Sequence, residues 1–427
     1  MQSTTSSSKS QVYIDLEDQH GAHNYHPLPV VLEKGEGVFV WDVDGKKYFD
    51  FLSAYSAVNQ GHAHPKITKA LIDQAQTLAL TSRAFYNNCL GDYEKFVTEY
   101  FGFDKVLPMN TGAEAVETAI KLCRKWAYEQ KGIAENQAQI VVCEGNFHGR
   151  TTTIVSFSSD PDSNKNFGPY PAGFISIPYD DIEALTSALA QPNVAGFLVE
   201  PIQGEAGVYT PSDDYMRKAR ALCTQHNALF IADEVQTGIA RTGSLLAVCG
   251  NCTCENKCEQ QAATYARPDI LILGKALSGG VYPVSAVLAD DHIMMVIQPG
   301  QHGSTFGGNP IAAKVAIAAL TAVDEEHLIQ NARQLGTRFR KEMQRVIDQN
   351  PLLVEVRGKG LLNAVVVNDS PDSDTAWRLC VALKENGLLA KPTHGNIIRF
   401  APPLVITEAQ LLECIQIIEK TVHHFTK

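Results

Sequence analysis

Lys275 closes the segment Asp269-Ile270-Leu271-Ile272-Leu273-Gly274-Lys275, with Ala276-Leu277-Ser278-Gly279-Gly280 following it. Four apolar residues in a row suit a strand covered on both faces, as in a parallel sheet. An ammonium delivered there is costly unless it is paired or neutralised, because desolvation disfavours its charge. One chemistry wants that arrangement: a Schiff base, in which the nitrogen is used covalently and needs a low pKa. A lysine whose head snorkels out of a strand end is the plainer alternative. A phosphate-binding P-loop is not, since the spacing Gly-x-x-x-x-Gly-Lys-Ser/Thr is absent.

A second apolar run, Ala228-Leu229-Phe230-Ile231-Ala232, delivers Asp233, and Gln236 follows three residues on. A carboxylate beside a pyridine nitrogen keeps that nitrogen protonated, which strengthens pyridoxal phosphate as an electron sink. Opposite charges about 4 Å apart at an effective dielectric of about 20 attract by roughly 4 kcal/mol. That corresponds to about three pH units, enough to hold the proton at neutral pH. The lysine and the aspartate together argue for such a cofactor better than either alone.

These side chains need a scaffold. From about residue 66 strands and helices alternate, the mark of an α/β sheet. Asn110-Thr111-Gly112-Ala113-Glu114 opens a helix, with Thr111 and Glu114 as a capping box and Val116, Ala119, Ile120 and Cys123 as its apolar face. Such an N-terminus can hold a phosphate through free N–H groups and the helix dipole, or be an ordinary well-capped helix. Ile140-Val141-Val142-Cys143 leads into Asn146-Phe147-His148-Gly149-Arg150-Thr151, and residues 194–199 lead into Glu200-Pro201-Ile202-Gln203-Gly204-Glu205. Each of these polar candidates lies just past the carboxyl end of an apolar strand, where open parallel sheets bind ligands. Residues 298–310 form a glycine-rich loop with the hydroxyls of Ser304 and Thr305, and Arg399 sits inside the apolar run Asn396-Ile397-Ile398-Arg399-Phe400.

At 427 residues a large domain with a smaller companion is expected. We place an N-terminal segment at 1–56 (1–12 disordered), a large domain at 57–315 and a small C-terminal α/β domain at 316–427. Phe39 to Phe51 reads as a hairpin around Asp44-Gly45. A net charge of −11 without a Lys/Arg-rich run argues against a nucleic-acid partner. No apolar stretch approaches the ~20 residues of a membrane span, so no membrane is expected. The first ten residues lack an apolar core and the first arginine is Arg83, so the cytoplasm is expected, or the mitochondrial matrix if a presequence was removed. His62-Ala63-His64 between Gly61 and Pro65 reads as turn chemistry, and no metal site is expected. Cys249, Cys252, Cys254 and Cys258 crowd together, but zinc ribbons space two close pairs by roughly 12–20 residues. Residues 249–262 therefore read as a tolerated surface insertion, with reversible disulfides as the next reading.

Residues 110–114, 146–151, 200–205, 233–238, 273–279 and 305–310 together resemble the class III, fold-type I pyridoxal-phosphate aminotransferases, and the resemblance runs from about residue 13 to the C-terminus. Through Tyr25, Tyr55, Arg150, residues 358–364 and residues 388–395 the chain is similar to the branch that acts on the δ-amine of ornithine. The insertion is the one departure. The resemblance implies a large domain with a mostly parallel central sheet flanked by helices, and a smaller C-terminal domain. Lys275 would hold pyridoxal 5'-phosphate and then carry the proton between substrate and cofactor carbons. Asp233 would pair with the pyridine nitrogen, Gln236 would sit near the phenolic oxygen, and Phe147 would stack on the ring, with His148 and Glu200 also around the cofactor. Thr111, Gly112 and Ala113, with Ser304 and Thr305 (Thr305 from the neighbouring subunit), would hold the phosphate, which makes a homodimer with shared sites the minimal unit. Arg399 would take the α-carboxylate of glutamate or 2-oxoglutarate. Tyr25 and Arg150 would take the distal groups of ornithine, and Tyr55 would shape that end. Glu205 would pair with Arg399 for ornithine and swing aside for the keto acid, on neighbouring glycines that permit movement. The expected reaction is ping-pong: L-ornithine to glutamate 5-semialdehyde, then 2-oxoglutarate to glutamate. Acetylornithine and 4-aminobutyrate are the rival substrates. A cofactor-binding regulator without turnover is the rival of another class, and spectral cycling with amino and keto substrates separates it.

Overall fold

The computed structural model describes residues 9–251 and 265–425. Seven strands form the large sheet, in the order Lys105–Met109, Ser285–Ala289, Ile270–Leu273, Leu229–Asp233, Val194–Val199, Gln139–Cys143, Phe174–Ile177. Ser285–Ala289 runs antiparallel to both neighbours, and the other pairs are parallel. The four strands from Ser285–Ala289 to Val194–Val199 are buried at every position, which is why they read as unbroken apolar runs. Their side chains alternate between two cores. Leu198, Ile231, Ile270 and Ile272 pack with Val116, Ala119 and Ile120 of helix Gly112–Trp126. Phe197, Phe230, Leu271 and Leu273 face the other way, into a core shared with helix Pro310–Glu325.

The small domain carries four antiparallel strands, in the order Leu353–Lys359, Leu362–Val367, Ile397–Phe400, Lys391–Thr393. Helices Leu328–Gln349, Thr375–Glu385 and Glu408–His424 accompany it. The N-terminal hairpin is present as Phe39–Asp42 and Lys47–Asp50, with Leu32–Glu36 on its edge. Its last strand pairs in parallel with Leu388–Leu389, so the N-terminal segment is tied to the C-terminal domain.

Two local expectations are corrected. Residues 9–12 are not disordered but open helix Lys9–His20, a stretch free of glycine and proline that buries none of its residues; residues 1–8 lie outside the described residues. Cys249 is not a surface thiol: it is fully buried in the short turn Ala247–Cys249. Cys252, Cys254 and Cys258 lie outside the described residues. No helix among the described residues is long and apolar enough to cross a membrane.

Candidate active site

The parallel register sets Asp233 beside Ile272, so the aspartate and Lys275 leave the same end of adjacent strands. There they line a cavity of about 200 Å³ together with Gly112, Ala113, Phe147, His148, Glu200 and Gln236. Lys275 has φ of 44°, a left-handed conformation that a residue with a side chain adopts only when its surroundings over-determine it. Burial, with the nearby Arg399 charge, pushes its amine down to about 8, against opposing pull from Asp233, Glu205 and Glu200.

Asp233 is 5% exposed. Its Oδ2 lies 2.6 Å from His148 Nδ1, and its Oδ1 accepts the Val235 N–H at 3.1 Å. Burial disfavours the His148 cation, but the hydrogen bond and charge of Asp233 outweigh it, and the imidazole pKa is raised. The second ring nitrogen has no hydrogen-bond partner among the described residues. Glu200 accepts the Phe147 N–H at 2.8 Å, and burial, partly offset by His148, pushes its carboxyl up to about 7. The capping box is present: Thr111 Oγ1 accepts the Glu114 N–H at 3.3 Å and Glu114 accepts the Thr111 N–H at 2.9 Å. The N–H groups of Gly112 and Ala113, next along the helix, have no intrahelical partner by position. Gln236 Oε1 is buried and also has no hydrogen-bond partner among the described residues. A reactive amine, a buried acid, an aromatic ring, an open helix N-terminus and an orphaned amide oxygen fit pyridoxal phosphate.

A larger cavity of about 410 Å³ adjoins this one at Phe147 and is lined by Arg150, Asp160, Glu205, Tyr209 and His394. Arg150 is exposed, its guanidinium carbon 5.6 Å from the Phe147 ring centre. Arg399 is 3% exposed and donates from Nη1 to Glu205 Oε2 at 2.8 Å. Its guanidinium carbon lies 4.8 Å from the Tyr55 ring centre. Burial raises the Tyr55 pKa, Arg399 opposes the shift, and Glu205 and Tyr25 add to it. Tyr25 itself is 70% exposed.

The loop that carries Glu205 is pinned by its backbone. Arg399 donates to Gly204 O at 3.4 Å, Thr393 Oγ1 to Glu205 O at 2.6 Å, and Arg357 Nε to Gly207 O at 2.9 Å. The flanking glycines therefore serve close approach rather than hinge motion: a Cβ on Gly204 would stand 1.8 Å from Gln236 Oε1, and Gly207 has φ of +127°. What can move is the Glu205 side chain, which is 31% exposed.

Ser304 and Thr305 do not join the cavity of their own chain. Ser304 bonds Asn110 at 2.8 Å, and Thr305 is exposed. His62 and His64 share no site either, since each lies 2.7 Å from its own carboxylate, Asp50 and Glu326 respectively. Sequence reading missed Asp50, whose carboxylate joins His62 to the turn after Phe51, and Thr393 and Arg357, which reach the Glu205–Gly207 loop from 188 and 150 residues away. It also missed that residues 53–56 all have positive φ, each costing roughly 1–2 kcal/mol relative to the right-handed form.

The family model for class-III aminotransferases matches residues 20–422. A mitochondrial ornithine aminotransferase of Drosophila melanogaster is 60% identical over 415 residues, covering 97% of this chain and 92% of that one. A solved acetylornithine aminotransferase from Elizabethkingia anophelis is 62% identical, with a TM-score of 0.87 over 98% of this chain and 100% of that one. The ornithine aminotransferase of Toxoplasma gondii, whose structure holds PLP at partial occupancy in its active site, is 46% identical, with a TM-score of 0.92 over 97% of this chain and 94% of that one. This chain belongs to the class-III aminotransferase family.

Proposed function

We propose that the chain is a pyridoxal-phosphate-dependent ornithine aminotransferase that works as a homodimer. Bound pyridoxal phosphate supplies an electron sink and carries the amine between the two substrates. Lys275 Nζ would hold it and, when freed, would carry the proton between the substrate carbon that bears the amine and the cofactor carbon. Asp233, steadied by His148, holds the proton on the ring nitrogen. Phe147, fixed by Glu200, would cover the ring, Gln236 would face its phenolic oxygen, and Thr111, Gly112 and Ala113 would receive the phosphate. Ser304 and Thr305 complete that phosphate site in the neighbouring subunit; Phe306, Phe85 and Tyr86, exposed by 50%, 71% and 95%, supply apolar surface suited to the contact.

The observation that carries the assignment to a donor reacting through a terminal amine is the Glu205–Arg399 pair, and Tyr25 and Tyr55 favour ornithine among such donors. Ornithine reacting through its δ-amine places only methylenes beside the cofactor and brings no carboxylate to Arg399. A guanidinium left without its carboxylate, in a pair whose acid is partly exposed and screened, would cost about 1 kcal/mol. Glu205 removes that cost, and its partly exposed side chain leaves when 2-oxoglutarate or glutamate supplies its own carboxylate. Arg150 and Tyr25 receive the α-carboxylate and α-amine of ornithine, with Tyr55 closing the wall over Arg399. L-Ornithine leaves as glutamate 5-semialdehyde, and 2-oxoglutarate then leaves as glutamate. The compartment is the mitochondrial matrix or the cytoplasm.

The second reading, N-acetylornithine as amine donor, is supported by the name of the Elizabethkingia relative. Steady-state kcat/KM on ornithine, N-acetylornithine and 4-aminobutyrate decides between them. We expect ornithine to be highest; a higher value for N-acetylornithine would overturn the assignment.

A further inference from the structure

Ser53, Ala54, Tyr55 and Ser56 have φ of 52°, 45°, 59° and 74°. For Ala54 and Tyr55 the accompanying ψ values are 47° and 43°. This is a full left-handed turn with no glycine in it, a conformation that Cβ-bearing residues leave unless they are held. The holding group is identifiable. Asp50 Oδ1 accepts the N–H of Leu52 at 2.8 Å and of Ser53 at 2.9 Å, the entry to the turn. Asp50 Oδ2 lies 2.7 Å from His62 Nε2, which fixes the plane of the carboxylate. Ser53 Oγ donates to Ala401 O at 2.7 Å, two residues beyond Arg399 in the chain. The turn is thereby fastened at its entry both to a carboxylate and to the strand end that carries the substrate-binding guanidinium. Its outcome is the Tyr55 ring 4.8 Å from Arg399. Ala54 is exposed, so packing does not explain why it accepts this backbone.

We propose that Asp50, oriented by His62, is a positioning residue that holds residues 53–56 left-handed so that Tyr55 closes the methylene end of the substrate site over Arg399, setting the preference for ornithine. Asp50 touches the entry to the turn through the Leu52 and Ser53 N–H groups and His62 touches Asp50, so their influence on Tyr55 passes through the backbone of the turn. The proposal rests on the reading above that Tyr55 walls that site.

Asp50→Asn keeps the side-chain shape but weakens the charged acceptor, and should lower kcat/KM on ornithine about tenfold, mostly through KM. Glycine adopts φ near +50° without cost, so adding Ala54→Gly should bring the double variant back to within about threefold of wild type. Ala54→Gly alone should stay within about twofold. In a Tyr55→Ala background Asp50→Asn should add less than about twofold, because its effect is routed through that ring. The thermal midpoint, read in parallel, should fall in Asp50→Asn and recover with Ala54→Gly. A loss that glycine does not rescue, or one that is fully additive with Tyr55→Ala, would overturn the proposal. Should Asp50→Asn fail to fold, His62→Gln carries the same comparisons with an expected loss of about threefold. If Tyr55→Ala itself leaves ornithine turnover unchanged, the substrate reading has failed. The clamp then stands or falls on the thermal rescue by Ala54→Gly alone.

Discussion

The two ends of the site meet at Phe147 but are built in opposite ways. The cofactor end collects its groups from the carboxyl ends of strands in one sheet, where a parallel ladder fixes their spacing. The substrate end collects Tyr55, Glu205 and Arg399 from three segments, the last two 194 residues apart, and holds them with a few polar contacts. Burial at the first end tunes Lys275 and Glu200, while Asp233 outweighs it at His148. Burial at the second creates a charge that needs a removable partner. One end must stay fixed so that proton positions stay fixed. The other must present two faces to two substrates, so its backbone is pinned while one side chain remains free.

If that division holds, damage to the cofactor end should be large and blind to the amine donor. Asp233→Asn keeps a group able to bond His148 but removes the charge that holds the ring proton. At about 4 kcal/mol for such a pair, turnover should fall roughly 1,000-fold on ornithine and on glutamate alike. Single-turnover rates for the two donors check this, and a loss confined to one donor would break the comparison.

The next effect concerns the lysine. Its amine lies at about 8 rather than the ordinary 10.5, a factor of roughly 300 in the neutral fraction at pH 7. The neutral amine is the nucleophile, so its reactivity rises with pH and levels off once the proton is lost. Reconstitution of the cofactor-free protein with pyridoxal phosphate should therefore accelerate up to about pH 8 and flatten above it. A rate still climbing steeply at pH 10 would show that burial does not tune this amine.

The same division decides what the amino-acid sequence reveals. At the cofactor end each functional residue is a polar interruption after an apolar run, so Lys275, Asp233 and the cap at Thr111 could be read locally. Their order in space was also readable, because parallel strands put all such interruptions at one edge. The His148–Asp233 bond was not, since it joins residues 85 apart through a register that no local pattern specifies. At the substrate end composition alone conveyed almost nothing: Tyr25, Tyr55 and Arg150 stood out only through a family resemblance. Asp50 looked like the end of a hairpin strand and His62 like part of a turn, because their meaning lies in whom they touch. Gly204 shows the limit most plainly: read along the chain it suggests a hinge, whereas in space it makes room for Gln236.

Smaller effects should separate the two amine donors. Glu205→Ala leaves Arg399 without its carboxylate when ornithine is bound, and frees it when glutamate is the donor. A screened pair with a partly exposed carboxylate is worth about 1 kcal/mol, or roughly fivefold. The half-reaction from ornithine should slow by about that factor, and transamination from the α-amine of glutamate should quicken. Both rates falling together would mean that Glu205 belongs to the fixed end after all.

The smallest effect should come from the loop that carries this carboxylate. Thr393 Oγ1 donates to Glu205 O at 2.6 Å, one of the contacts that pins the backbone while the side chain stays free. Thr393 is buried, so Thr393→Val preserves shape and removes only the hydroxyl. A neutral hydrogen bond contributes about 1 kcal/mol net, which sets the scale at roughly threefold to fivefold. The loss should fall on ornithine, because only that half-reaction requires the Glu205 carboxylate to sit on Arg399. Glutamate, which meets Arg399 after Glu205 has left, should react at nearly the wild-type rate. Pairing Thr393→Val with Glu205→Ala sharpens the test: once the carboxylate is gone its anchor has nothing left to aim, and the valine should cost ornithine no more than about twofold further. If the valine slows both donors equally, the loop is a structural support for the whole site and the two ends are not mechanically separate.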